Sequence, residues 1–256
     1  WDEIKNDLSD EMPIIRFPKY DGCADVTKGY EWHEFINNHD PIQNPHTPKL
    51  SDLWTIIFTS GTTGNPKGVM LTYQAIDGIK VVLDDPNNPL GIKHTGNNDF
   101  ISYLPLNHIF ERVVIEWCSF RYGGTISFVE SIEKFGQNLK SVQPHVFAAA
   151  PRVWTKLQMG ILSKFPQKRL DILLKIPVLS SILKKLIRKG LGFSKVRVTV
   201  SGSAPMPVEL IEWFRKVGFY ITNGYGMTEN CAICSSVDGK DFGKLNTVGK
   251  PQKGVE

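Results

Sequence analysis

Ten residues, Thr59-Ser60-Gly61-Thr62-Thr63-Gly64-Asn65-Pro66-Lys67-Gly68, combine three glycines, four hydroxyls and one lysine with almost no side-chain bulk. That composition suits a loop that grips phosphate. Glycines let the backbone bend and approach a ligand, so that amide N–H groups converge on phosphate oxygens. The hydroxyls add donors, and Lys67 adds a mobile positive charge. The spacing is not the G-x-x-x-x-G-K-[ST] pattern, because only Asn65 and Pro66 separate Gly64 from Lys67. Taken alone, the stretch also reads as a solvated turn between two strands.

Three further stretches carry chemistry of the same kind. Ser201-Gly202-Ser203-Ala204-Pro205 is built of small residues, so a flat ring could lie directly on its backbone. Asn223-Gly224-Tyr225-Gly226-Met227-Thr228-Glu229 offers an aromatic face, a hydroxyl with a backbone donor, and a carboxylate of the type magnesium takes beside phosphates. The segment Leu104–Arg112 places His108 just after a strand. Singly, each has a plainer reading: a tight turn, a core aromatic, a charge in a first helical turn, a structural histidine. Jointly they add up to phosphate, flat ring and metal.

The elements that must position these stretches follow from hydrophobic pattern and turn chemistry. Trp54–Phe58 is apolar and β-branched and reads as a buried strand, with Val69–Leu71 as a short one. Thr72 is placed to cap a helix over about 73–82, and 84–98 reads as a surface loop. Strands are expected at 100–104, 125–129, 145–150, 196–200 and 220–223. Helices are expected at 107–122, near 132–142, from Pro151 to about 165, and at 208–217. Such alternation predicts an α/β fold, with largely parallel sheets flanked by helices. In these sheets ligands sit beyond the carboxyl ends of strands, where the four stretches fall. Residues 1–50 carry few periodic signals and read as a connecting segment before a domain over 51–256.

The chain has 256 residues, 41% of them apolar, enough for a substantial core and too many for a disordered chain. It has no run of about 18 apolar residues that would span a membrane. Four cysteines in this length make no disulfide framework, and Cys231-Ala232-Ile233-Cys234 is a lone CxxC that reads as small buried thiols. A reducing, cytoplasmic setting fits that usage. The start at Trp1, without initiator methionine or signal peptide, and the stop at Glu256 both read as cuts through a longer protein. The net charge of +4 conceals a division: residues 156–197 hold eleven basic residues against Asp171 alone, +10, which leaves −6 for the rest. A local basic patch suggests a local anionic partner. Over 178–190, Leu179, Ile182, Leu183, Leu186 and Ile187 repeat at helical spacing among Lys184, Lys185, Arg188 and Lys189, with Ser180 or Ser181 near the start and Gly190 at the stop. This segment reads either as an interfacial helix making peripheral membrane contact or as an ordinary amphipathic helix packed on its domain. Nucleic acid is not among the expected partners.

The Thr59–Gly68 stretch resembles the signature loop of the adenylate-forming enzymes, the superfamily of acyl-CoA synthetases, luciferases and peptide-synthetase adenylation domains. Tyr225–Glu229 resembles that family's second signature. Ser201–Pro205 and Pro151–Trp154 fit in the expected order, and Leu104–Arg112 is similar to the long-chain acyl-CoA synthetase branch in particular. The resemblance covers nearly all of 50–256. It implies that Thr59–Gly64 and Lys67 hold the β- and γ-phosphates of ATP. It further implies that Gly202, Ser203 and Ala204 line the adenine and Tyr225 stacks on it, that Asn223, Gly224 and Gly226 belong to the same nucleotide-binding segment, that Thr228 contacts the α-phosphate, that Glu229 coordinates magnesium, and that His108 lies by the substrate carboxylate. The implied enzyme is a long-chain fatty acid–CoA ligase that uses ATP, magnesium and coenzyme A. Other readings are adenylation of a different carboxylate or acceptor, and a non-catalytic nucleotide- or lipid-binding fragment. The ribose-binding aspartate, the hinge and the lysine-bearing C-terminal domain of the family would lie beyond Glu256. The chain is therefore expected to be part of a large N-terminal domain, with almost no acyl-CoA synthesis of its own.

Overall fold

The computed structural model describes residues 13–17, 29–59, 65–241 and 243–255. The chain divides into two compact units, Trp1–Pro48 and Lys49–Glu256. In the first, β1 (Ile15–Arg16) pairs in parallel with β2 (Tyr30–Glu31), and α1 (Trp32–Asn37) follows. The Glu31 carboxylate caps α1 by accepting from the Glu34 N–H at 3.0 Å.

The second unit opens with an antiparallel hairpin. β3 (Leu53–Thr59) pairs with β4 (Lys67–Thr72) out to the Thr59–Lys67 pair, so both ends of the glycine-rich stretch leave the hairpin side by side. α2 (Tyr73–Leu83) follows and buries Ile76, Ile79, Val82 and Leu83. β5 (Asp99–Ser102) pairs in parallel with β6 (Thr125–Phe128). The helix between them begins two residues later than expected, at Ile109. It contains a π-helical segment, Glu111–Trp117, before α3 (Cys118–Tyr122).

Five strands form the main sheet. After α4 (Phe135–Val142) comes β7 (Val146–Ala149), then α5 (Pro151–Lys164), with Pro151 in the first turn as the sequence predicts. Two helices occupy the connection to β8 (Val198–Ser201): α6 (Gln167–Lys175), which the sequence reading missed, and α7 (Pro177–Leu191). Then come α8 (Val208–Lys216), β9 (Ile221–Tyr225), β10 (Ser235–Val237) and β11 (Lys250–Pro251). The spatial order is β11-β10-β9-β8-β7; β7, β8 and β9 are parallel, and β10 and β11 run antiparallel. The expected α/β class holds, and the main sheet is mixed, with parallel β7, β8 and β9 extended by two antiparallel pairings. The hairpin β3–β4 stands as a separate antiparallel pair.

The caps of α7 correct the expected ones. Ser180 is buried inside the helix, the start is Ile176-Pro177, and the stop is Gly192 at φ +79°. A Cβ at Gly192 would lie 2.3 Å from the Leu139 carbonyl oxygen, so only glycine serves there.

The two ends of the parallel strands are treated differently. At the amino ends, the Arg197 guanidinium donates to the Asn97 carbonyl (2.9 Å) and to Asn98 Oδ1 (2.6 Å), and His145 Nδ1 accepts from the Asp99 N–H (2.9 Å). At the carboxyl ends, the fully buried Trp154 shares its indole N–H between the carbonyls of Ala149 (3.2 Å) and Val200 (3.3 Å). Trp154 also meets Phe147 and Phe214 edge-on, which anchors α5 and α8 over the sheet. Cys231 is buried and Cys234 half-buried, both as free thiols, and burial pushes Cys231 up to about 11. No helix among the described residues is long and apolar enough to cross a membrane.

Candidate functional site

The carboxyl ends of β7, β8 and β9 open onto a cavity of about 470 Å³. Its walls come from stretches far apart in sequence: Thr59 at the end of β3, His108 after β5, Ala149 and Ala150 after β7, Ser201 to Ser203 after β8, and Gly224 to Glu229 at the end of β9. The start of the glycine-rich stretch and the Thr228–Glu229 pair therefore face one space. β4 also runs against the turn at Thr228–Asn230. Ser60, Gly61, Thr62, Thr63 and Gly64 lie outside the described residues. Lys67 is exposed at the first position of β4 and does not itself line the cavity.

Local chemistry explains why each wall has its shape. In the second stretch, Gly202 and Ser203 line the cavity, whereas Ala204 is exposed and does not. Ser203 sits at φ +66°, a left-handed conformation that costs a non-glycine residue of order 1 kcal/mol. Ser201 closes β8 and lines the cavity, with its hydroxyl oxygen buried and without a hydrogen-bond partner among the described residues.

In the third stretch, a Cβ on Gly226 would lie 2.0 Å from the Ala232 carbonyl oxygen. Glycine there lets the segment 226–232 fold back on itself. The Met227 carbonyl accepts from the Ala232 N–H at 3.0 Å, and Asn230 Oδ1 accepts from the Met227 N–H at 2.9 Å. Cys231 (φ +55°) and Ala232 (φ +67°) are both left-handed, so strain is concentrated at this turn. The turn presents Tyr225, Thr228 and Glu229 to the cavity, with Tyr225 and Glu229 exposed and Thr228 half-buried. Asn223, by contrast, is buried and points away; its amide donates to the Thr247 carbonyl at 3.0 Å and ties β9 to the chain beyond β10.

His108 lines the cavity and is half-buried. Its Nδ1 accepts from the Phe110 N–H (3.2 Å), which satisfies an orphan donor at the helix start. An accepting Nδ1 leaves the neutral ring's proton on Nε2, and burial lowers the pKa, which favours that neutral form.

Two residues of this segment escaped the sequence reading. Glu111, only 1% exposed, begins the π-helical segment, and burial raises its pKa to about 7. The Ser102 hydroxyl and the backbone N–H groups of Tyr103 and Leu104 act against that rise, so the carboxylate faces the strand end that leads into the cavity wall. Arg112 holds Glu116 in a two-pronged pair (3.0 and 2.7 Å), reaches Thr55 Oγ1 (3.4 Å) and lies over the Trp54 ring at 5.4 Å. It therefore couples β3, which ends at Thr59, to the helix that follows His108. Both fall inside the Leu104–Arg112 stretch that carries the resemblance to the long-chain branch, but a glutamate and an arginine adjacent on a helix read as surface charges, so neither acquires a role of its own from sequence.

The residues present fit a magnesium-bound nucleotide. Gly202, Ser203, Gly224 and Gly226 line the cavity with little side-chain bulk. Ser201 supplies an unsatisfied hydroxyl. One exposed carboxylate, Glu229, matches a cation held mostly by phosphate and water. No cluster of three or more His, Cys, Asp or Glu side chains exists among the described residues, so a cage made by the protein alone is not built there.

The chain belongs to the AMP-binding enzyme family, whose profile matches residues 6–256. It is 31% identical to the long chain acyl-CoA synthetase 4 of Arabidopsis thaliana over 255 residues, covering 89% of this chain and 37% of that protein. It is 34% identical to the long-chain-fatty-acid–CoA ligase 5 of Rattus norvegicus over 244 residues, covering 85% and 35%. The chain thus spans little more than a third of these relatives. Among solved structures, an anthranilate CoA ligase in complex with anthranoyl-AMP matches with a TM-score of 0.69 at 19% identity, covering 98% of this chain and 43% of that one. The o-succinylbenzoate CoA synthetase of Bacillus subtilis, in complex with ATP and magnesium, matches with a TM-score of 0.58 at 22% identity, covering 88% and 41%. These likenesses establish the fold as that of adenylate-forming enzymes.

Proposed function

We propose that the chain is the nucleotide- and acid-binding part of a long-chain fatty acid–CoA ligase. Residues 51–256 would belong to its AMP-binding domain and residues 1–50 would lead into it. The observation that supports this most is the shared cavity, into which Thr59, Tyr225, Thr228 and Glu229 all open. The named relatives support the choice of acid and acceptor.

In this reading a fatty carboxylate oxygen attacks the α-phosphorus of ATP. The bond to the bridging oxygen breaks, and pyrophosphate leaves an acyl-adenylate. The sulfur of coenzyme A then attacks the acyl carbonyl, its proton is lost to solvent, and AMP departs. The chain's own residues mainly orient and neutralise. The 59–64 segment and Lys67 hold the β- and γ-phosphates. Gly202 and Ser203 face the adenine and Tyr225 stacks on it. Thr228 donates to the α-phosphate, and Glu229 would hold magnesium, which supplies charge neutralisation on the phosphates when bound. Neutral His108, with its proton on Nε2, donates towards the carboxylate. Because the chain spans 37% of the plant relative, the activity is assigned to a protein of that length. The 256 residues alone are expected to make almost no acyl-CoA.

The test is pyrophosphate release by the full-length protein with ATP, magnesium and a series of fatty and aromatic acids. Lys67→Ala and Glu229→Gln are each expected to lower adenylation at least tenfold, with the unfolding midpoint unchanged. Both are exposed, so a loss of folding without selective loss of ATP use would reject the assignment. A preference for short or aromatic acids would reject the long-chain part of it.

A further inference from the structure

α7 has two apolar faces, and only one of them is used by the fold. Ser180, Leu183 and Ile187 are buried in the core that also holds Phe193 and Phe219. Val178, Leu179, Ile182 and Leu186 point the other way and are 39–70% exposed. At 3.6 residues per turn these four lie within an arc of about 100°, and Lys185 and Lys189 fall in or beside it. Ile172 and Lys175 of α6, which packs against α7, and Ile176 at the start of α7 are exposed as well.

The four cations of α7 are not equivalent. Arg188 spends its guanidinium on the carbonyls of Phe193, Val196 and Gly218 and lies over the Phe219 ring at 4.8 Å. The Lys184 stem lies against Gly218. These two serve packing. Lys185 and Lys189 are exposed beside the apolar row. The acidic side chain nearest in sequence, Asp171, already accepts from the Gln167 amide at 2.8 Å.

Lysines outnumber the single carboxylate of α6 and α7, Asp171, and the row combines apolar reach with cations at its edge. We propose that the exposed faces of α6 and α7 form a landing surface for an anionic lipid bilayer. Val178, Leu179, Ile182 and Leu186 enter the boundary between headgroups and acyl chains, while Lys175, Lys185 and Lys189 meet lipid phosphates. The inference does not rest on the adenylation reading, and either can fail without the other.

The test is co-sedimentation with vesicles of phosphatidylcholine alone and of phosphatidylcholine with about 30% phosphatidylserine, at about 0.1 M salt. The chain is expected to pellet with the anionic vesicles only. Lys185→Gln/Lys189→Gln is expected to weaken partitioning about thirty-fold, from about fivefold for each lysine at an anionic surface. Ile182→Gln/Leu186→Gln is expected to reduce it to background. The lysine pair is exposed and makes no ion pair among the described residues, so it carries the test even if the apolar pair disturbs folding. A wild-type chain that stays in the supernatant overturns the proposal, as does equal pelleting of the wild type and the lysine variant. Loss of self-association in the apolar variant, without vesicle binding by the wild type, would assign the face to a second copy and also overturn it.

Discussion

Replacing Glu111 with glutamine should change how stability depends on pH. Burial raises this carboxyl from 4.5 to about 7 in the folded chain. Below pH 4.5 the group is neutral in both folded and unfolded states. Between there and about pH 7 the unfolded chain has released its proton while the folded chain still holds it. Stability from this group is therefore fully present at acid pH, falls as pH rises through the window, and levels off above it. At 1.36 kcal/mol per unit the loss amounts to ~3 kcal/mol. Glutamine cannot ionise and should escape that loss. It also gives up one acceptor oxygen facing the Ser102 hydroxyl and the Tyr103 and Leu104 amides, a constant cost of ~1 kcal/mol. The signature is thus the widening of the gap, not its size at any single pH. Urea unfolding of both proteins at pH 5, 6, 7 and 8 measures it, with contributions from other groups cancelling in the difference. The variant should gain ~2–3 kcal/mol relative to wild type between the extremes. Parallel curves would refute the assignment of a raised acid at this position.

Gly226→Ala should displace the turn, because its methyl would sit 2.0 Å from the Ala232 carbonyl oxygen; ATP binding measured by calorimetry should weaken at least tenfold. Trp154→Ala empties a fully buried site and frees the carbonyls of Ala149 and Val200, and it should cost ~3–5 kcal/mol in urea unfolding.

Much of the site is legible because its chemistry is local. Short runs of small, hydroxylated or aromatic residues follow apolar runs, and strand-then-loop order is what hydrophobic pattern reports best. Spacing and resemblance assign Gly202, Ser203, Ala204, Asn223, Gly224, Tyr225, Gly226, Thr228 and Glu229 to one pocket; all but Ala204 and Asn223 line one cavity. What stayed hidden depends on partners distant in the chain. Nothing near Asn223 announces Thr247, and nothing near Arg112 announces Trp54 and Thr55. A continuous apolar run such as Trp54–Phe58 cannot say whether its neighbour is a parallel sheet or its own hairpin. The π-helical segment at Glu111 has no propensity signature at all. In α7, a single apolar periodicity proved to be two faces, since helical spacing places Leu183 and Leu186 within one broad stripe that tertiary packing then divides.

The cavity walls are drawn from positions between Thr59 and Ser236, with several long chain segments looped out between consecutive contributions. Each such loop must close before its contact is rewarded, so the pocket is among the most non-local features of the molecule. For a chain emerging from the ribosome, the ordering is fixed by geometry. The β3–β4 hairpin can form from its own residues within moments of release, whereas β10, which contributes Ser235 and Ser236 to the lining, arrives some 170 residues later. Until that strand is laid down, the end of β3 at Thr59 has no complete cavity to face.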